Sequence, residues 1–144
     1  MTLQINLTAE TIEEIDSRSW RANNGKTARS AAIQESLDRY FYLIKSARVS
    51  LRGTFTGPEL CLIADACNGT LFQAKTILSL WFGIEESIRL DCLDDKYEVD
   101  GPVLIDKIHS LKNDQLYALV DAVEEYWREI GNDEESADPG KLLE

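Results

Sequence analysis

The sequence predicts a mainly α-helical chain that starts with one short β-strand and dimerises through it. Residues 1–7 alternate between polar and apolar side chains, which is typical of a strand with one buried face. The rest of the chain places apolar residues at helical spacing between caps and breaks. Because a lone strand needs a partner, we expect an intermolecular two-stranded antiparallel sheet, followed by an acidic all-helical domain.

Composition indicates a folded protein outside the membrane. Hydrophobic residues make up 44% of the 144 residues and charged residues 28%, which is typical of globular proteins. The apolar runs are too short to cross a bilayer, and the N-terminus does not resemble a secretory signal. Three cysteines without paired spacing do not make a disulfide framework. We therefore expect a cytoplasmic protein without membrane contact.

The two ends of the chain differ in charge. Residues 1–52 carry eight Lys/Arg and six Asp/Glu, or +2, whereas residues 53–144 carry seven and twenty, or −13. A Gly/Pro cluster follows residue 52. The sequence thus predicts a first domain at 1–52, an acidic helical domain at 53–131 and a disordered acidic tail at 132–144. A polyanion is expected to contact only the first domain.

The predicted strand has two different faces. Its apolar face consists of Leu3, Ile5 and Leu7. Its polar face consists of Thr2, Gln4 and Asn6. A two-stranded ribbon fits the major groove of DNA, and amide side chains can form paired hydrogen bonds with adenine. These three polar residues are therefore the predicted base contacts.

Two helices are predicted to follow the strand. Thr8 stands where a helix N-cap belongs, and the first helix covers about residues 9–21. The sequence Asn23-Asn24-Gly25 breaks it. Thr27 is the next plausible cap, for a helix that runs to about Leu51.

The run LQINLTAETIEEIDSRSW…NNGKTARSAAIQESLDRYFYLI resembles the ribbon-helix-helix DNA-binding proteins, the class of the Arc, MetJ and CopG-like repressors. The resemblance covers about residues 2–46 and rests on the alternating strand, the Ile12, Ile15, Asp16 pattern, Gly25 and the Thr27-Ala-Arg-Ser helix start. Unlike many members, this chain has no Arg or Lys on the polar strand face.

The resemblance implies how DNA and a second copy would be bound. The N-terminus of the second helix would anchor a DNA phosphate through the backbone N–H groups of residues from Thr27 to Arg29, with Lys26 and Arg29 adding positive charge. The resemblance does not decide whether Arg18 and Arg21 contact phosphate or are only surface charges. The expected dimer core consists of Leu3, Ile5, Leu7, Ile12, Ile15, Ile33 and Leu37.

The acidic domain is predicted to contain four helices, at about 58–68, 71–91, 100–111 and 113–131. Thr56 and Glu59 have capping-box spacing at the start of the first. Leu116, Leu119, Val123 and Trp127 lie on one apolar stripe of the last. This domain resembles no family. It would add dimer or higher-order contacts, or receive a protein partner or an effector.

No cofactor, metal or catalytic constellation is predicted. Five acidic residues between 91 and 100 lack the EF-hand register, and three cysteines with one histidine lack zinc-clamp spacing. No phosphate loop, nucleophile elbow or zinc-protease motif occurs, so we expect no enzyme. The residues rejected as metal ligands are Asp91, Asp94, Asp95, Glu98 and Asp100 for calcium, and Cys61, Cys67, Cys92 and His109 for zinc.

Two functions are consistent with these patterns. The first is a homodimeric or higher-order, sequence-specific protein that binds double-stranded DNA, most simply a transcriptional repressor. The alternative is a protein-interaction module, either an antitoxin or an acidic adaptor or inhibitor of a basic protein. A small toxin-like reading frame beside the gene would favour the antitoxin.

Overall fold

The structure, a computed structural model, describes residues 6–18, 25–66, 76–91, 97–130 and 138–144, without the side chains of residues 18, 25–28, 91 and 130. Six α-helices and one 3₁₀ turn account for most of this part of the chain. They are α1 (Ala9–Arg18), α2 (Gly25–Ser50), α3 (Gly57–Ala66), α4 (Ile77–Asp91), α5 (Gly101–His109), α6 (Asn113–Ile130) and the 3₁₀ turn Pro139–Lys141.

The helical character is confirmed, but the predicted β-ribbon is wrong. Where the structure describes the chain it contains no strand, and residues 6–8 before α1 belong to no regular element. The described end of the predicted strand is irregular and leads directly into the Thr8 cap of α1, and no strand in the described residues offers it hydrogen-bond partners. Residues 1–5, the rest of the predicted strand, lie outside the described residues.

The chain divides into two compact units, residues 1–42 and 43–144, so that the division falls inside α2. The second unit contains the hydrophobic core. Its fully buried side chains come from Leu51, directly after α2, and from each of the four following helices. They are Leu51, Leu62, Ile63, Ile84, Ile88, Leu104, Ile108, Leu116, Leu119 and Val123.

The connection between α2 and α3 is set by a positive-φ glycine and a capping box. Gly53 has φ +82°, a conformation that favours glycine, just beyond the last turn of α2. The Glu59 carboxylate accepts the Thr56 N–H at 2.8 Å, and the Thr56 hydroxyl accepts the Glu59 N–H at 3.2 Å. This reciprocal pair is the capping box that the sequence predicts.

Glu59 is also a buried charge with a specific counter-ion. Only 5% of the residue is exposed, and the Lys107 ammonium of α5 lies 2.6 Å from its Oε1 atom. The same carboxylate oxygen therefore caps α3 and joins α3 to α5. A buried carboxylate is tolerated because hydrogen bonds and an opposite charge replace the lost water.

The helices α5 and α6 begin at side-chain caps and pack through apolar stripes. Asp100 accepts the Val103 N–H at 3.3 Å, with Pro102 in the first turn of α5. Before α6 the Lys112 N–H donates to the Gln115 side chain at 2.9 Å. The stripe predicted for α6 is confirmed at its buried leucines, and the Trp127 indole donates to the Ala64 carbonyl at 2.9 Å.

The C-terminal residues differ from the predicted disordered tail. Leu142 and Leu143 are 5% and 4% exposed and belong to the core. The Arg48 guanidinium bonds the Leu142 carbonyl at 2.8 Å and the Glu125 carboxylate at 2.7 Å. The apolar surface of these two leucines favours their burial in the core despite the acidic sequence before them.

Truncation of Leu143 tests the role of these residues. We expect Leu143→Ala to lower the free energy of unfolding by about 2–5 kcal/mol, because it removes a buried side chain and leaves a cavity. Urea denaturation of the full chain measures this quantity. The exposed neighbour provides the control, Lys141→Ala. Equal stabilities of the two variants would contradict a core position for Leu143.

The Glu59–Lys107 pair makes a second prediction. Glu59→Ala should cost about 3–5 kcal/mol, because it removes the cap and leaves the half-buried Lys107 without a counter-charge. Glu59→Gln should cost less, about 1–3 kcal/mol, since glutamine retains the cap. Lys107→Met should then be less costly in the Glu59→Gln background than in the wild type. An unchanged cost in this double-mutant cycle would mean that the two residues are not coupled.

Candidate functional site

The first unit contains every residue predicted to contact DNA. Thr2, Leu3, Gln4 and Ile5 lie outside the described residues. Asn6 and Leu7 are exposed and precede α1 in irregular backbone. Thr8 caps α1 as predicted, because its hydroxyl accepts the Thr11 N–H at 3.2 Å.

Arg29 is part of a bidentate ion pair between the two helices of this unit. Its Nε donates to Asp16 Oδ1 at 2.6 Å, and its Nη2 donates to Oδ2 at 2.8 Å. Asp16 lies on α1 and Arg29 on α2, thirteen residues apart. Parallel hydrogen bonds of this kind fix the plane of a guanidinium group. The pair thus orients Arg29 near the start of α2.

The ion pair shifts the titration of both partners. Hydrogen bonds from Arg29 hold the pKa of the Asp16 carboxyl below its ordinary value. The same hydrogen bonds raise the pKa of Arg29. Both side chains are about half exposed, at 44% and 53%, so that water and salt screen the attraction. The pair is therefore a positioning contact rather than a large source of stability.

The start of α2 has the electrostatic character of an anion site. Lys26 and Thr27 lie in its first turn, although their side chains are not among those described. That turn contains no acidic residue. The first N–H groups of any helix lack intrahelical partners and carry partial positive charge. These backbone N–H groups can donate hydrogen bonds to a phosphate oxygen.

The apolar residues of the first unit are poorly covered within one chain. Among its described side chains only Ala32 is buried. Ile12, Ile15 and Ile33 are partly buried, and Leu7 and Leu37 are 38% and 43% exposed. These are the described members of the predicted dimer core. Phe41, one turn beyond Leu37 on the same face of α2, is 51% exposed.

The sequence does not show which basic residues already pair with distant parts of the same chain. Arg48 and Arg52 contribute to the +2 of residues 1–52, yet the structure pairs them with the C-terminal end of the chain and, for Arg48, with Glu125. Their partners are 77 to 94 residues away, so no local pattern could reveal them. Two of the basic residues counted in positions 1–52 therefore bind partners inside the second unit.

The described residues include no group of three His, Cys, Asp or Glu side chains that could hold a metal ion. Cys61 is partly buried, and burial together with the nearby Asp138 and Asp65 raises the pKa of its thiol. A raised pKa makes a thiol a weaker nucleophile and metal ligand at neutral pH. Cys67 and Cys92 lie outside the described residues.

No family model, curated protein or solved structure matches the chain. None of the helices in the described part of the chain is both long enough and apolar enough to span a bilayer.

The Asp16–Arg29 pair predicts a pH effect. The folded pKa of Asp16 lies below the unfolded value, about 3.9, so the pair stabilises the first unit above that pH. Its contribution is lost as the pH falls through the folded pKa. A ¹³C NMR titration of the carboxyl groups should show a depressed pKa for Asp16 that returns to the ordinary value in Arg29→Gln.

Arg39→Gln is the matched control, because Arg39 pairs with Glu35 and not with Asp16. It should leave the Asp16 titration unchanged. An ordinary Asp16 pKa in the wild-type protein would contradict the bidentate pair.

Proposed function

We propose that this chain is a homodimeric, sequence-specific DNA-binding protein, most simply a transcriptional repressor. The observation that carries the proposal is a basic segment in an otherwise acidic chain. Residues 17–34 include Arg18, Arg21, Lys26 and Arg29 and no Asp or Glu, whereas the whole chain has a net charge of −11. The segment includes the start of α2, where helix N–H groups also favour an anion.

In this proposal the phosphate contacts are Lys26, Thr27 and Arg29. Asp16 occupies two of the five N–H donors of Arg29, which leaves three donors for a phosphate oxygen. Asp16 would act as a positioning residue, because it holds the guanidinium plane without contacting DNA. The remaining attraction would come from Lys26 and from the first N–H groups of α2.

A second copy of the chain is the proposed cover for the apolar side chains of the first unit. Ile33, Leu37 and Phe41 form one row along α2, and the latter two are about half exposed. A unit of 42 residues with a single buried side chain among those described has too little core to stand alone. Dimerisation along this row would bury these residues and present two equivalent basic segments to two DNA half-sites.

Base recognition in the proposal rests on residues at the N-terminal end of the chain. Asn6 is exposed just before α1, in the same unit as the basic segment. Thr2, Gln4 and Asn6 remain the proposed base contacts, now without a sheet to present them. Residues 43–144 carry ten Lys/Arg and twenty Asp/Glu, or −10, so no DNA contact is assigned to them.

Selection of bound sites from random DNA with the full chain, at a fixed salt concentration, tests this function. We expect one enriched sequence with two-fold symmetry. Gln4→Ala with Asn6→Ala should remove the preference for that sequence and leave the dimer intact. Lys26→Gln should weaken binding to all sequences alike and reduce the salt slope of the binding constant by about one.

Lys141→Gln is the control for Lys26→Gln, since it removes one exposed lysine from the second unit. It should leave the affinity and the salt slope unchanged. The proposal fails if no site is enriched, or if sedimentation shows a monomer at the concentrations at which DNA is bound.

A protein-interaction module is the second candidate. The charge of −10 on residues 43–144 and the separate hydrophobic core of that unit favour it. An antitoxin or an acidic adaptor would use such a surface to cover a basic protein. An adaptor would show no sequence preference for DNA in the selection experiment, whereas an antitoxin whose first domain represses its own operon would show one and would also bind a basic toxin.

A further inference from the structure

The solvent face of α4 carries an apolar row that no described residue covers. Every fourth residue from 78 to 90 lies in this row, which we name the α4 ridge: Leu78, Phe82, Glu86 and Leu90. Its three apolar residues are 77%, 67% and 63% exposed. The opposite face of the helix lies in the core, where Leu80, Ile84 and Ile88 are 5% exposed or less.

This arrangement is typical of a helix that binds on both faces. A surface helix normally has polar residues opposite its buried stripe, and a helix that is apolar on both sides is usually covered on both. Side chains four residues apart form a ridge that fits the groove of another helix. The α4 ridge therefore has the shape of one half of a helix–helix contact.

Glu86 gives the ridge a charge at its centre. The Glu86 side chain forms no hydrogen bond or ion pair with another residue of the described chain. Its neighbour Glu85 differs, because Arg89 donates to it at 2.8 Å and His109 lies 3.1 Å from its other oxygen. The Glu86 carboxylate is thus available for a cation, with apolar side chains one turn away on each side.

We propose that the α4 ridge docks an amphipathic helix of a basic partner protein. Apolar residues of that helix would pack on Leu78, Phe82 and Leu90, and a Lys or Arg between them would pair with Glu86. The net charge of −10 on residues 43–144 attracts a basic partner and repels a second copy of the same unit. The sequence after the ridge is acidic too, with Asp91, Asp94 and Asp95.

This inference does not depend on the DNA-binding proposal. DNA contact is assigned to residues 1–42, whereas the α4 ridge belongs to residues 43–144. Either function can fail while the other holds. The same ridge would serve a repressor that receives a protein partner or an adaptor that binds no DNA.

Two synthetic amphipathic helices of about 18 residues, five turns, test the proposal with the full ¹⁵N-labelled chain. One has leucine on its apolar face and lysine elsewhere, and the other replaces each lysine by glutamate. We expect only the lysine peptide to bind, with amide shifts concentrated at residues 78–90. Glu86→Lys should weaken this binding about tenfold or more, and Phe82→Ala should weaken it too.

The matched control is Glu124→Lys, which reverses an exposed acid on α6. It should leave most of the affinity intact. Equal losses in Glu86→Lys and Glu124→Lys would overturn the proposal, because attraction would then depend on overall charge. It would also be overturned if the lysine peptide did not bind or shifted other residues. A lower mass of Phe82→Lys in sedimentation would mean that a second copy occupies the ridge.

Circular dichroism of each variant checks that it folds. All substituted side chains of the ridge are exposed, so the helix content should not change.

Discussion

The second unit depends on one buried carboxylate. Glu59 joins the N-terminal cap of α3 to Lys107 of α5, and the residues that follow it on α3 lie in the centre of the core. At the other end of α3 the Ala64 carbonyl accepts a hydrogen bond from the indole N–H of Trp127 on α6. Both ends of α3 are therefore held by part-buried polar contacts with other helices. Apolar packing alone is non-directional, whereas these contacts fix how α3 is rotated and where it begins.

Local patterns account for the parts of this fold that could be predicted. The capping box at Thr56 and Glu59 and the leucine stripe of α6 depend on neighbours within one or two turns, so the sequence displays them directly. The lysine that pairs with Glu59 lies 48 residues away in the sequence. Nothing local distinguishes Lys107 from a surface lysine. Its role follows from packing, which determines which charges meet.

The two ends of the chain also show that a local sequence pattern does not determine its structure alone. Residues 132–144 read as a mobile acidic tail because their composition is polar, yet Leu142 and Leu143 lie in the core beside Arg48 and Arg52. Residues 1–7 read as a strand because their side chains alternate, yet the described chain offers them no strand. Whether two apolar residues become buried, or seven alternating residues form a strand, depends on the other parts of the fold that they contact. The phosphate contacts proposed at Lys26, Thr27 and Arg29 follow from the resemblance of a local segment to a family, whereas that segment gives no sign that Asp16 pairs with Arg29.

The internal pairing of cations changes the electrostatic argument for DNA. Of the Lys/Arg residues in positions 1–52, Arg29, Arg39 and Arg48 already face carboxylates of the same chain. A count of charges per domain therefore overstates the free positive charge. At physiological ionic strength, charges are screened over about 8 Å, so the net −11 acts on a phosphate less strongly than the charges next to it do. The proposed interface thus depends on the helix N-terminus and on the basic residues of segment 17–34, with little help from long-range attraction.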